Sequence, residues 1–586
     1  MTIKKFELSG KENRGVATLN VLPSSSLIDL KHDVASAFAI FSHEVISFHD
    51  CNGVNIDTIE SVLGHGSSIR VKVDGKSIRS PFSPKELPVI GNYLDIYPNH
   101  MGNHERLFTR YGSVIKTVNM GTTVYLTNDP RISELILSEN EYFTKATSNP
   151  SHPLHFMKEE TALFWCDSNS PAFEVARKFI PPSISPKATR RYTGNVQEAI
   201  EESFCVFDEL DKRGKAFHVY QYMVKMASQT IYRICVGSGL GHFRDVDAPL
   251  HDIIHDLGDY MALLKRTSLS PLWYKYLPYG DHCRLARVKK RIWAQISNAI
   301  DNAGVSGDRG DLPIHEAAMK STCIADYLKR AVDEHGKKLP KEYMLTNMVV
   351  LIGAGFITTA SSLSWLVYSL TQYPGNQERL LQELVDSGAM PTRPWTYDEI
   401  TSLPFLDCFV KETYRMRDPV FQAARNPKTD VIVPGGWLIP ANSVIIPTFP
   451  AIYQNKYYWD NAHTFNPDRW LDKATNKRRH RLAFTPFGAG PRGCIGYNVA
   501  LLETKLTIAN LVWRYHFENV SKEPVEYDPK FILTRPLNCY IRARRRTSWP
   551  EKSMVPEAAN DVNSTNSAAN GDGNENADAG ANSEIV

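Results

Sequence analysis

The chain has 586 residues, of which 42% are apolar, 10% aromatic and 22% charged, a composition that excludes wholesale disorder and supplies a large buried core. Lys and Arg number 67 against 64 Asp and Glu; the net charge of +3 lacks the basic excess of a nucleic-acid-binding protein, so no such partner is expected. The nine cysteines are scattered and form no CxxC pair, which argues against a disulfide scaffold or structural zinc site and for a reduced intracellular chain.

From the N-terminus, Ile3, Phe6 and Leu8, then Val16, Leu19 and Val21, read as a half-buried hairpin. Ser24 to Ser26 offer N-caps for an apolar-periodic helix carrying Leu27, Leu30, Val34 and Phe38. Val45, Ile46 and Phe48 predict another strand, and Ile69, Val71 and Val73 a last one. Strand, strand, helix, strand, strand over residues 1–75 resembles the ubiquitin-like β-grasp, a small α+β unit that could recruit a protein partner; a merely decorated extension is the plainer reading. Residues 76–88, rich in Pro, Ser and charge, read as a linker.

Residues 89–546 read as one large domain, mainly α with small β-sheets. Helical patterns run at 191–211, 246–265 and 284–302, and short strands follow at Val431–Val433 and Val444–Ile446. Tyr343 to Gln377 contains no charged residue, and Met348 to Leu370 is apolar enough to cross a bilayer. Its clustered Thr358, Thr359, Ser361, Ser362 and Ser364, set in a globular pattern, favour a helix buried all round. The N-terminus shows neither signal peptide nor transmembrane anchor, so the expected location is cytoplasmic or peripheral to the endoplasmic reticulum membrane. Residues 547–586 turn rich in Asn, Ala, Gly and Ser and read as a disordered tail.

The strongest chemical signal is Phe487-Gly488-Ala489-Gly490-Pro491-Arg492-Gly493-Cys494-Ile495-Gly496. It presents one thiol on a glycine-rich loop before a helix, with room for something flat or bulky to approach the backbone. Arg492 and the helix N-terminus are expected to lower the thiol pKa, giving a thiolate that serves as nucleophile or metal ligand. No His/Asn dyad in a recognisable context accompanies it, which weakens the nucleophile reading.

Phe487, Gly490, Arg492, Cys494 and Gly496 match the FxxGxRxCxG haem-binding signature, and the chain thereby resembles the cytochrome P450 family, fungal members in particular. That resemblance implies haem b with Cys494 as the axial iron ligand. It places Phe487 and Gly488 in the cofactor loop and Arg492 at a propionate. Glu412-Thr413-Tyr414-Arg415 matches the family's ExxR, whose spacing puts both side chains on one helix face. With Arg469 in Phe465-Asn466-Pro467-Asp468-Arg469-Trp470, Glu412 and Arg415 form the family's structural brace.

Ala354-Gly355-Phe356-Ile357-Thr358-Thr359 resembles the motif of the family's central helix, with Thr358 as the catalytic threonine that serves dioxygen activation. Ile357 stands where most members carry an acid that relays protons. Phe173 to Arg177 aligns with the family's WxxxR helix, Phe replacing Trp, so Arg177 and Arg425 are the weaker propionate candidates. By family position Ile352, Phe356, Thr359, Val420, Phe421, Ile532 and Leu533 line the substrate pocket, with Phe164 to Asp167 nearby. A basic run, Lys473 to Arg481, would border the face where an acidic flavin partner docks.

The resemblance implies a monooxygenase that inserts one atom of dioxygen into a small hydrophobic substrate. NADPH and flavins would act only through a separate NADPH-cytochrome P450 reductase. Ile357 keeps open an oxygen-independent isomerase or dehydratase of a hydroperoxide, and the N-terminal unit a non-catalytic haem-binding adaptor.

Overall fold

The computed structural model describes residues 2–553 apart from 156–160, 269, 271, 305–309, 389–392, 421–422 and 532. Phe421, Ile532 and the tail beyond Ser553 therefore lie outside the described residues.

Strands β1 (Thr2–Leu8), β2 (Val16–Val21), β3 (Ile46–His49) and β4 (Ile69–Val73) form one sheet in the order β2-β1-β4-β3. β1 runs antiparallel to β2 and parallel to β4, and β3 runs antiparallel to β4. Helix α1 (Leu27–Phe38) is capped by Ser26, whose hydroxyl accepts from the Asp29 N–H at 3.0 Å. This is the β-grasp topology. One detail departs from the predicted pattern: Ile3 is 66% exposed and Lys4 points inward. Strand parity is the reason, since Phe6 and Leu8 share a face with residue 4 and not with residue 3. The Lys4 ammonium is satisfied there by the Leu63 and His65 carbonyls, both at 2.7 Å.

This small unit does not close its core alone. Ile432 and Leu438 of the large domain join Phe6, Val34, Phe48 and Val71 in one apolar cluster. The two residues lie on the hairpin of β7 (Val431–Val433) and β8 (Trp437–Ile439), in a chain order that follows β5 (Val114–Asn119) and β6 (Thr122–Thr127). Backbone bonds extend the seam: Ile432 N–H donates to Ala39 O at 3.0 Å and Leu438 N–H to Arg79 O at 2.9 Å. Arg79 also stacks 3.8 Å over the Trp437 ring, so the segment read as a linker is fixed along this hairpin.

The large domain is built on helices. Those that place the site are α2 (His100–Tyr111), α3 (Pro130–Leu137), α4 (Pro171–Phe179), α5 (Thr193–Lys212), α6 (Val219–Val236), α7 (Asp252–Ser268) and α8 (Asp281–Asn302). They are followed by α9 (Lys341–Gln372), α10 (Pro404–Arg417) and α11 (Tyr497–Arg514). Helix α9 has 32 residues, and 72% of its most apolar window is buried by protein. It is the one helix among the described residues long and apolar enough to cross a membrane, and it serves instead as the spine of the core. Gly355 makes this packing possible, because a Cβ there would lie 2.5 Å from Ile231 Cγ1 on α6. After the helices, residues 547–553, expected to be loose, are held: Trp549 donates to Trp513 O at 2.9 Å and Ser553 N–H to Asp386 at 2.7 Å.

Candidate haem site

The cysteine loop is shaped by two left-handed glycines, Gly488 (φ 68°) and Gly490 (φ 69°). Gly490 has a steric reason as well, since a Cβ there would meet the Leu137 carbonyl oxygen, at the end of α3, at 2.1 Å. The Cys494 N–H donates to Phe487 O at 2.8 Å, and α11 begins three residues further on. Phe487 is wedged between Tyr414 and Tyr497, with ring centroids at 5.8 and 6.2 Å. Cys494 is accessible as a residue although it lies deep within the protein.

The thiol differs from expectation in one respect. Its pKa is pushed up by burial in the loop, with the Gly496 N–H as the smaller opposing influence. Arg492 does not lower it, because its guanidinium is turned away and donates to Leu163 O at 2.6 Å, Cys166 O at 2.7 Å and Ser168 Oγ at 2.9 Å. A bound metal ion would supply the charge that favours the thiolate, which the protein field here does not.

The Arg492 guanidinium lies 3.7 Å over the Phe173 ring, so the Phe that replaces the family's Trp serves as a stacking platform. Buried Arg425 pairs with Glu139 at 2.5 Å. Lys145, which sequence reasoning missed, is also buried; its ammonium donates to Phe164 O and lies 4.2 Å from that ring. Burial, then Arg492 and Arg425, hold the Lys145 pKa well below the usual lysine value. Buried His152 is pushed to about 3 by burial, Lys145 and Arg425, and its Nε2 has no hydrogen-bond partner. Three basic side chains thus meet around one carboxylate, Glu139. The two propionates of haem b fit that imbalance, and the orphaned His152 nitrogen marks the same place. Arg177 is not part of the cluster: it is exposed and donates to Pro491 O.

The brace is complete. Glu412 is fully buried and accepts from Arg415 at 2.8 and 3.0 Å, Arg469 at 3.1 Å, the Asn466 N–H at 2.8 Å and the Trp470 indole at 3.0 Å. Arg415 in turn donates to the Tyr453, Ala462 and Thr464 carbonyls. The Asn466 and Trp470 contributions were not anticipated, although both residues lie inside the quoted motif.

On α9 the accessible side is formed by Ala354 and Thr358, and Thr358 Oγ1 donates to Ala354 O at 2.7 Å. Ile352, Phe356 and Thr359, the expected pocket positions, are buried, with 0%, 2% and 3% exposure. The helical period turns each of them about 100° or more away from Thr358 on the accessible side. Ile357 is buried in the same core, where a carboxylate would pay a desolvation cost. Val420 and Leu533 remain partly accessible, and exposed Phe164 lies against Lys145.

A family model described as cytochrome P450 matches residues 81–542. The chain is 49% identical over 555 residues to cytochrome P450 monooxygenase alnD of Emericella nidulans, covering 94% of this chain and 100% of the relative. That extent is too great to leave out the whole N-terminal unit. Cytochrome P450 1A1 of Sparus aurata is 24% identical over 79% of this chain and 90% of its own length. The crystal structure of the cytochrome P450DA heme domain superposes with a TM-score of 0.69 at 19% identity, covering 80% of this chain and 98% of that one, a likeness of fold. An accessible cysteine on a glycine cradle, a cationic pocket suited to propionates and a saturated Glu-Arg-Arg brace agree with these matches: the chain belongs to the cytochrome P450 family of haem-thiolate monooxygenases.

Proposed function

We propose that the enzyme inserts one atom of dioxygen into a C–H or C=C bond of a small hydrophobic substrate, with two electrons delivered by a separate NADPH-dependent reductase. The second oxygen atom takes up two protons and leaves as water. The observation that supports this best is the convergence of accessible Cys494 with buried Lys145 and Arg425 and half-buried Arg492. Haem b, when bound, supplies the reductive activation of dioxygen.

The chain's own residues provide the rest. Cys494 would hold the iron, and Arg425, Arg492 and Lys145 the propionates; Arg177 and the Phe487–Gly488 turn support the loop from outside. Thr358 places a hydroxyl on the cavity side of α9, able to hold a proton or order a water now that Ile357 replaces the usual acid. Val420 and Leu533 offer apolar contact to the substrate. On the surface, Lys473, Lys477 and Arg478 make no ion pair among the described residues, and they form the docking patch for an acidic electron donor. The site of action is cytoplasmic or peripheral to the endoplasmic reticulum membrane, and the 49% identical fungal monooxygenase favours a specialised metabolite as substrate.

Turnover of a lipophilic cell extract under heavy-isotope dioxygen, with NADPH and reductase, tests the proposal. One labelled oxygen in the product is the expected result. Unlabelled product formed without NADPH would replace it with hydroperoxide rearrangement, the reading that Ile357 favours.

A further inference from the structure

Lys265, near the end of α7, is 7% exposed and makes no ion pair among the described residues. Its ammonium donates to the Pro529 and Phe531 carbonyls, both at 2.6 Å. Burying an ammonium without a paired carboxylate is costly, and these charge-assisted bonds are its direct compensation. The turn they hold is stiffened from its other side. Arg535 pairs with Asp528 at 2.8 Å and lies 3.9 Å over the Phe531 ring. Thr534 N–H donates to Pro419 O, and the Trp365 indole to Thr534 O, both at 3.0 Å.

One cavity adjoins this turn on its outer side. It has a volume of about 310 Å³ and is lined by Met101, Trp365, Asp418, Tyr527, Pro529 and Thr534, among others. Val420 and Leu533, neighbours of Asp418 and Thr534 in the chain, do not line it. Val420 packs instead on the cluster of Leu137 and Leu482 that also receives Ala489 of the cysteine loop. Helix α7 reaches from this turn to the central helix, where a Cβ on Gly353 would lie 3.5 Å from Leu257.

We propose that Lys265 is a positioning residue for the substrate side: by tying the Asp528–Phe531 turn to α7 it fixes the wall between the outer cavity and the haem cavity, and so sets the size of ligand admitted. The word substrate rests on the monooxygenase reading; the wall does not. Burial draws the Lys265 pKa down to about 8, opposed by Asp528. The charged and titratable groups around it are Asp528 with its partner Arg535 on the turn, Tyr527 beside it, and His100 on α2. Above pH 8 the ammonium becomes an amine and the clamp weakens.

The test compares haem-loaded wild type with Lys265→Met and Lys265→Gln between pH 7 and pH 9. Amide exchange is read at Lys530 and Phe531, and dissociation constants of imidazole and 4-phenylimidazole are read from haem absorbance. In the wild type, protection corrected for intrinsic exchange should fall about five-fold across pH 8, the worth of one hydrogen bond. The ratio of the two dissociation constants should shift with it. In both variants protection should already be low at pH 7 and the ratio flat with pH. Should one variant fail to fold, the other carries the comparison. Wild-type protection or a wild-type pH profile in either folded variant would overturn the assignment. Failure of the monooxygenase reading would appear as absent label in the product and would leave these readouts untouched.

Discussion

Around Glu412 one buried carboxylate collects five donors from Arg415, Arg469, Asn466 and Trp470, whereas the seam with the N-terminal unit is held by shared hydrocarbon and paired backbone. Both join segments far apart in the chain. The brace concentrates its strength in one charge, so the loss of a single side chain leaves buried partners unpaired. The seam spreads its strength over Ile432, Leu438, the Ala39 and Arg79 backbone bonds, and the partly exposed Arg14–Asp430 and Asp74–Arg131 pairs. Charge gives a brittle joint, and apolar burial a graded one.

The contrast can be broken most severely at Glu412. Glu412→Ala should cost about 3–5 kcal/mol, the range for breaking a buried pair, and should abolish haem retention. Denaturant unfolding and haem content check this, and a variant with native haem content would refute the brittleness. Acid should act next, and on the large domain first. Buried His100 and His104 have pKa values lowered to about 3 and about 4, chiefly by burial. The unfolded chain therefore takes up protons near pH 6.5 that the folded chain refuses. Stability is complete above that pH and declines as pH falls toward 4, by about 1.4 kcal/mol per pH unit for each histidine. Thermal melting between pH 7 and pH 4.5 would show it, and His104→Asn should flatten the slope.

Deleting residues 1–75 should cost about 3 kcal/mol, because it bares Ile432 and Leu438 at roughly 1.5 kcal/mol or more each. A truncated protein that melts as the full chain does would show that the seam is only a tether, and would return the unit to a recruiting role. Asp74→Ala removes the Arg131 pair and the bond from the Gly435 N–H at 2.8 Å, for about 1 kcal/mol. Arg14→Ala breaks a half-exposed pair and should shift the melting temperature least, by under about 1 kcal/mol in stability. A larger effect than that of Asp74→Ala would invert the order of the seam's contacts.

The sequence by itself determined the local chemistry. The glycine cradle of Cys494, the Glu412–Arg415 spacing, the apolar α9 and the strand order of the N-terminal unit all rest on residue type and short-range period, which are written within a few residues of one another. Tertiary structure decided what those patterns face. Lys145, Glu139 and His152 join Arg425 and Arg492 in one cationic pocket, and no local pattern marks a lone lysine as buried. Phe356 and Thr359 share a motif with Thr358, and Ile352 stands just before it, yet the packing of α9 against α6 turns all three inward. Arg492 is drawn from the thiol by carbonyls more than three hundred residues away, and the seam depends on a hairpin at equal distance. Burial and charge pairing are properties of the neighbours that folding supplies, and the chain names those neighbours only once it has closed.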